Sequence, residues 1–224
     1  MNASMPKQYL QLGEHPIIEH TLRRLCCCEP VDQVVVGIAK GDSHWLQLAF
    51  NDAKLAAVIN AGTERAETVE NCLRYIVEQG GEDDWALVHD AARPCVRVSE
   101  INRLIDSVIG NADGGILAVP LSDTVKRGVA EGVENEILET VPRDDLWRAM
   151  TPQLFKVGEL LSSISTARVN GEKLTDEATA MEAVGVQVLL VPCSQDNIKI
   201  TLPQDIPFAE MILRAQQQEM KPEV

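Results

Sequence analysis

Apolar residues recur along this chain in two rhythms. The stretch "HPIIEHTLRRLCCCE" places Ile17, Ile18, Thr21, Leu22 and Leu25 on one face at helical spacing. "RAETVENCLRYIVEQ" repeats the pattern with Val69, Cys72, Leu73 and Ile76. Between them lie the short runs "DQVVVGIA" and "LAAVIN". The first is β-branched and unbroken, the mark of a strand buried on both faces. A short helix is predicted near Ser43 to Phe50, and "WALVHD" predicts a strand. "SEINRLIDSVIG" predicts a helix with Ser99 as its N-cap, and "GGILAVPL" another strand. Strand and helix taking turns predict an α/β fold, doubly wound around a mainly parallel sheet.

The rhythm breaks from Ser122 to Asp145, where two weakly alternating halves flank the turn-forming "AEGVEN". Too few positions are apolar for a core element. A β-hairpin arm projecting from the body is predicted, and such an arm needs a partner to cover it. Then follow "TPQLF", a helix near Val157 to Arg168, a helix from Thr175 to Val184, strands in "VQVLLV" and "NIKIT", and a last helix to about Gln218. Thr175 before Asp176 and Glu177 reads as a helix start, with acids at the positive end of the dipole. Pro203 suits the first turn of the last helix, and Pro207 sits awkwardly one turn later. With no internal repeat or low-complexity linker, residues 1–224 read as one domain with an arm at about 122–145.

Charge narrows the partners. A net charge of −14 argues against a duplex-binding surface, which needs a basic face, so no nucleic-acid partner is expected. The six cysteines form no C-x-x-C pair and have no histidine partner at zinc spacing. Cys26, Cys27 and Cys28 read as small apolar residues in a reducing compartment. The start "MNASMPKQYL" lacks the apolar core of a signal peptide, and no apolar run approaches the length of a membrane span. The expectation is a cytoplasmic protein with no membrane partner.

In an open parallel sheet, ligands lie at the carboxyl ends of the strands. "NAGTERAET" follows one strand, with Gly62 permitting close backbone approach and Arg65 and Thr68 at a helix start. "HDAARP" follows another, "LSDTVKR" a third, and "DNIKIT" closes the last. Lys7, Arg65, Arg93, Lys126 and Lys199 are thereby predicted on one rim of an acidic body, with Asp90 among them. Cations around one carboxylate suit a polyphosphate carried with Mg²⁺ or another divalent cation, which is held by few carboxylates while phosphate and water supply the rest. Ala91 and Ala92 leave room for a nucleotide. Each residue also has a plainer reading: Asp90 as a turn residue, His89 as a hydrogen-bonded structural histidine, Arg93 as a loop cap, Lys7 as solvated surface. The motifs for a P-loop, a dinucleotide fold, a serine hydrolase and a zinc protease are all missing.

In order and spacing, "PKQYL", "GTERAETV", "VHDAARP", "DTVKR", "TPQLF", "TDEA" and "DNIKIT" make the chain resemble the 2-C-methyl-D-erythritol 4-phosphate cytidylyltransferase family over essentially its whole length. "VHDAARP" with "DNIKIT" is the specific signal. The resemblance implies a nucleotidyltransferase-like Rossmann variant, with CTP and methylerythritol phosphate as substrates and a homodimer built through the arm. It implies that Lys7 and Lys199 neutralise phosphate charge and that Asp90 is the magnesium ligand. Gly62 and Thr68 look like cytidine-side contacts, and Ala91 belongs to the CTP site. Arg93, Thr124, Arg143, Thr151 and Thr175, together with Lys199, look like the polyol phosphate pocket, with Arg143 and Thr124 reaching the neighbouring subunit's site. Thr63 departs from the acid that relatives often carry there.

A second departure lies at the start. Family members open with a strand and a glycine-rich loop ending in an Arg-Met pair, whereas this sequence begins five residues before "PKQY". The expectation is a true start upstream of Met1, no central strand before Pro6, and no turnover from the chain that begins at Met1. Two other functions stay open: transfer to another polyol phosphate such as ribitol 5-phosphate, or a non-catalytic binding or dimerisation protein.

Overall fold

The computed structural model describes residues 5–131 and 134–219. A 3₁₀ turn, Lys7–Tyr9, leads into β1 (Gln11–Leu12), β2 (His15–Pro16) and helix α1 (Ile17–Cys26). Then come β3 (Val34–Ile38), α2 (Ser43–Leu48), β4 (Leu55–Asn60), α3 (Arg65–Glu78), β5 (Trp85–Val88), α4 (Val98–Val108) and β6 (Gly114–Pro120). The second half holds β7 (Val125–Glu131), β8 (Glu134–Val141), β9 (Trp147–Lys156), α5 (Val157–Val169), α6 (Glu177–Ala183), β10 (Leu189–Pro192) and α7 (Asp205–Glu219). The fold is α/β. Among the described residues no helix is long and apolar enough to cross a membrane.

The strands form a four-stranded sheet in the order β10-β6-β9-β5 and a separate parallel pair, β3 with β4. β10 runs parallel to β6, as expected, but β9 is antiparallel to both β6 and β5. Within this sheet β5, β6 and β10 therefore share one direction, as a mainly parallel sheet requires, and β9 opposes them. The cause is the arm: β6 runs out towards it and β9 returns from it, with Val119 opposite Arg148 and Pro120 opposite Trp147. A chain that doubles back on itself pairs antiparallel. Any central strand before Pro6 falls on residues 1–4, which lie outside the described residues.

Both faces of the four-stranded sheet are covered. On one, Phe155, Ile116, Ala118 and Ala86 pack with Leu73 of α3, Leu160 and Ile164 of α5 and Met181 of α6. On the other, Leu117, Val119, Leu154 and Val191 pack with Ile101, Leu104 and Val108 of α4. Leu154 and Phe155 point to opposite faces, as strand alternation requires. α1 lays Ile18 and Leu22 against Val34 and Val36 of β3. Gly114 lets Phe155 lie flat on β6, since a Cβ there would meet the ring at 2.1 and 2.3 Å. Gly114→Ala is expected to cost about 1–3 kcal/mol by overpacking, read from chemical denaturation.

Several boundaries moved. α4 starts at Val98 behind Arg97, with no side-chain cap, so Ser99 is not the N-cap. Asp176, not Thr175, caps α6, accepting from Thr179 N. α7 starts at Asp205, so Pro207 falls in its first turn, where no backbone N–H is needed. "NIKIT" is not a strand: Ile200 N donates to Ala92 O, and Ile198 and Ile200 pack with Leu12, Ile17 and Leu213. All six cysteines are free. Burial pushes Cys26, Cys72 and Cys193 up to about 11, the state of inert thiols.

Candidate active site

Asp90 follows the end of β5, at the head of a tight turn. Its carbonyl accepts from Arg93 N at 3.0 Å, with Ala91 and Ala92 at the corner. This turn sets the acid and the base side by side: Arg93 Nε stands 3.6 Å from Asp90 Oδ2. Lys199 Nζ reaches the same oxygen at 2.8 Å, and Arg65 Nε reaches Oδ1 at 2.9 Å. Three elements distant in sequence thus converge on one carboxylate whose side chain is 11% exposed.

Burial opposes the charge on Asp90, but Arg65 and Lys199 outweigh it and hold its carboxyl far below the usual range. Lys7 shares this field. Burial and the charge of Lys199 lower its ammonium pKa, against an opposite pull from Asp90 and Asp205. Tyr9, two residues on, donates to Asp42 Oδ2 at 2.8 Å, and Asp42 also caps α2. That pair ties down the short turn carrying Lys7.

Behind the carboxylate lies a layer that fixes its backbone. The Thr151 hydroxyl accepts from Asp90 N at 3.0 Å and stands 2.9 Å from His89 Nδ1. The other ring nitrogen of His89 faces the Arg93 carbonyl at 3.1 Å. A carbonyl only accepts, so the proton sits on Nε2 and Thr151 donates to Nδ1. Burial pushes the pKa of His89 down to about 4, which keeps the ring neutral. Asn197 completes the layer, giving its amide to Thr151 O at 2.8 Å and its backbone carbonyl to Arg93 Nη1 at 2.7 Å.

The β4–α3 loop forms the next wall. The Thr68 hydroxyl accepts from Gly62 N at 3.0 Å and donates to Glu64 O at 3.1 Å, bracing the turn. Glu67 folds over Gly62 and takes Thr63 N and the Thr63 hydroxyl at 2.6 and 2.8 Å. A Cβ on Gly62 would meet Glu67 Cγ at 2.2 Å, so the glycine is required for this approach. The Gly62 N–H is thus spent within the loop.

The expected residues divide accordingly. Asp90, Arg93, Arg65 and Lys199 meet, with Lys7 close by. Ala91 sits in the corner of the turn, its carbonyl accepting from the Thr21 hydroxyl at 2.9 Å. Thr151 is 4% exposed, with its hydroxyl engaged behind Asp90. Thr175 is exposed and pairs with Thr179 at 2.8 Å. Thr124 and Arg143 lie at the base of the arm, where Arg143 donates to Ser122 O, and neither touches the Asp90 cluster within this chain. Lys126 is not on the rim: it lies out on the arm, donating to Thr140 Oγ1 at 2.6 Å. A depression of about 560 Å³ lined by Glu82, Lys156 and Met181 lies at the opposite end of β5 and holds none of these residues.

Reading the sequence missed Glu177, Gln153 and Asn197. Glu177 takes both terminal nitrogens of Arg65, at 2.6 and 2.9 Å. The available signal was an acid at the head of "EATAM", on the face that buries Ala178 and Met181.

The family model described as 2-C-methyl-D-erythritol 4-phosphate cytidylyltransferase matches residues 1–215. A protein of that name from Hahella chejuensis is 42% identical over 219 residues, 98% of this chain and 90% of the relative. One from Tolumonas auensis is 43% identical over 221 residues, 99% of this chain and 93% of the relative. A crystal structure of a 4-diphosphocytidyl-2C-methyl-D-erythritol synthase superposes with a TM-score of 0.83 at 39% identity, covering 93% of this chain and 95% of that one. The Francisella tularensis 2-C-methyl-D-erythritol 4-phosphate cytidylyltransferase gives 0.80 at 35%, covering 93% of each chain.

Proposed function

This chain belongs to the 2-C-methyl-D-erythritol 4-phosphate cytidylyltransferase family, and from that premise we propose that the cleft around Asp90 carries cytidylyl transfer from CTP to methylerythritol phosphate. A phosphate oxygen of the polyol attacks the α-phosphorus of CTP. The bond from that phosphorus to the bridging oxygen breaks, and pyrophosphate leaves with the electron pair. A phosphomonoester is already anionic, so no side chain need act as general base, in keeping with a buried, neutral His89. Catalysis is then positioning and charge neutralisation. The observation that carries this reading is the convergence of Arg65, Arg93 and Lys199 on one carboxylate.

The donor set suits a hard divalent cation such as Mg²⁺. Asp90 offers one carboxylate, and among the described residues no cluster of three or more Asp, Glu, His or Cys forms a cage. Phosphate and water would supply the other ligands, as is usual for Mg²⁺. Bound there, the cation would neutralise charge developing on the phosphates. Lys7 and Lys199 are assigned to the CTP phosphates, the Gly62 carbonyl to the cytosine amino group, and Arg93 to the polyol phosphate. Thr151 orients Asp90.

The arm supports a homodimer. Ile137 and Leu138 are adjacent on β8, hence on opposite faces, and are 68% and 62% exposed. An isolated two-stranded ribbon is marginal in water, and a second copy would cover it. From such a partner Arg143 and Thr124 would reach the neighbouring pocket. Deleting the arm is expected to give a monomer by sedimentation. Arg143→Ala is expected to raise KM for methylerythritol phosphate about 10–100-fold, the worth of a charge-assisted hydrogen bond, with KM for CTP unchanged. A monomeric full-length protein would contradict this arrangement.

The function itself is tested by pyrophosphate release from CTP. Methylerythritol phosphate should support it and ribitol 5-phosphate should not, a result that would also overturn the expectation of no turnover from the chain that begins at Met1. Turnover with ribitol 5-phosphate alone would move the assignment to another polyol phosphate.

A further inference from the structure

We propose that Glu177 is a positioning residue for Asp90, acting through Arg65; the inference rests on reading Asp90 as the cation ligand. One guanidinium serves two carboxylates. Its Nη1 and Nη2 meet Glu177 Oε1 and Oε2 at 2.6 and 2.9 Å, while Nε meets Asp90 Oδ1 at 2.9 Å. The Glu177 side chain is 2% exposed.

Glu177 is itself held. It opens α6, whose cap Asp176 accepts from Gln153 Nε2 at 2.9 Å, while Gln153 Oε1 accepts from Ala178 N at 2.9 Å. Gln153 is 1% exposed on β9. The end of α6 is thereby clamped to the central sheet. The donors of a guanidinium lie in one plane, so a bidentate fork at the two terminal nitrogens fixes where Nε–H points. Oδ1 of Asp90 is oriented by a residue that touches neither nucleotide nor cation.

The other oxygen is held differently. Oδ2 pairs at 2.8 Å with Lys199, an ammonium on a flexible stem whose side chain is 39% exposed, while Arg93 Nε stands off at 3.6 Å, beyond hydrogen-bond distance. One oxygen is locked and the other is guarded by a charge that can leave. Oδ2 is the oxygen that would hold a divalent cation, and Lys199 would then be free to turn towards the anionic substrate. A net gain in stability does not explain the buried pair, because desolvation offsets most of the attraction and apolar residues would pack as well. An oriented Oδ1 is what the Glu177–Arg65–Asp90 chain adds.

The test is a calorimetric titration of CTP into the full-length protein with and without Mn²⁺, used as the probe cation. The ratio of the two affinities isolates the metal-linked part of binding, which a general loss of packing would not change. Compared with the unsubstituted protein, Glu177→Gln and Arg65→Lys are each expected to lower this ratio about 10-fold, as for other residues that orient a metal ligand, and to lower kcat more than they raise KM for CTP. Asp90→Asn should bring the ratio close to one. If Asp90→Asn leaves the ratio unchanged, the cation ligand is misassigned. If it abolishes the ratio while Glu177→Gln and Arg65→Lys keep it, Glu177 does not position Asp90. Should Glu177→Gln fail to fold, Arg65→Lys decides by the same criterion, on a side chain that is 35% exposed.

Discussion

Asp90→Asn is expected to lower kcat about 10³-fold and to raise KM for CTP only about 10-fold, the part of nucleotide binding that runs through the cation. The two oxygens of Asp90 face Arg65, Arg93 and Lys199. Asparagine keeps the shape and removes the charge, so the site loses its hard oxygen ligand but keeps every cation that attracts triphosphate. The metal-independent part of nucleotide binding should survive on Lys7 and Lys199. Negative charge building on the transferring phosphorus loses the cation that Asp90 would hold, and removing even one preorganised electrostatic partner typically costs about 10²–10³ in rate. Steady-state pyrophosphate release separates the two parameters. A fall below about 10-fold would place the chemistry away from Asp90.

A second large effect should appear as stability is followed from about pH 7 down to about pH 4. His89 is buried and neutral, donating from Nε2 and accepting at Nδ1. Protonation would put a second N–H against the Thr151 donor. It would also add charge beside Arg93 and Arg65, and the attraction of Asp90 does not compensate for burial. The folded pKa is therefore depressed from 6.5 to about 4. Below the unfolded value the unfolded chain takes up a proton that the fold refuses, so stability is full above about 6.5 and falls as pH drops towards about 4. At 1.36 kcal/mol per pKa unit this amounts to about 3 kcal/mol, or about 10²-fold in the folding equilibrium. Burial also lowers His20, which adds loss in the same window. Asp90 and Asp176, whose pKa values are depressed, add loss only below the ordinary carboxylate range. Urea unfolding at the two pH values should show the fall, and His89→Asn should flatten it. Equal slopes in both proteins would mean that His89 titrates normally.

Much of this was legible in the chain. The strands at Val34, Leu55, Trp85 and Gly114 declare themselves because each is a short apolar run closed by turn residues. The direction of β9 was hidden because periodicity reports burial and not polarity. Its ten residues, moreover, begin two places after the stretch read as the arm. Asp90 and Arg93 were readable because they follow the end of an apolar strand, where a sheet gathers its loops, and Lys199 through its place in "DNIKIT". Glu177 was not. An acid in the first turn of a helix reads as a partner for the dipole, and only the packing of α6 against β9 turns it inward. The hydrogen bonds of Thr151 to Asp90 N and His89 were not legible, since sequence does not say which way a hydroxyl faces. Lys126 misled for another reason: it follows a strand end, but the chain leaves the sheet there to build the arm.

The account rests on Asp90 as the point where cation, nucleotide and protein meet. A crystal structure of the protein with CTP and Mg²⁺ tests this most directly. The account predicts a metal within about 2.0–2.1 Å of Asp90 Oδ2, the ordinary Mg²⁺–oxygen distance, with the α-phosphate on the same ion. Lys199 should be turned from the carboxylate to phosphate, while Arg65 stays on Glu177 and Oδ1. A metal bound to the triphosphate with no contact to Asp90, and Lys199 still paired with Oδ2, would contradict it.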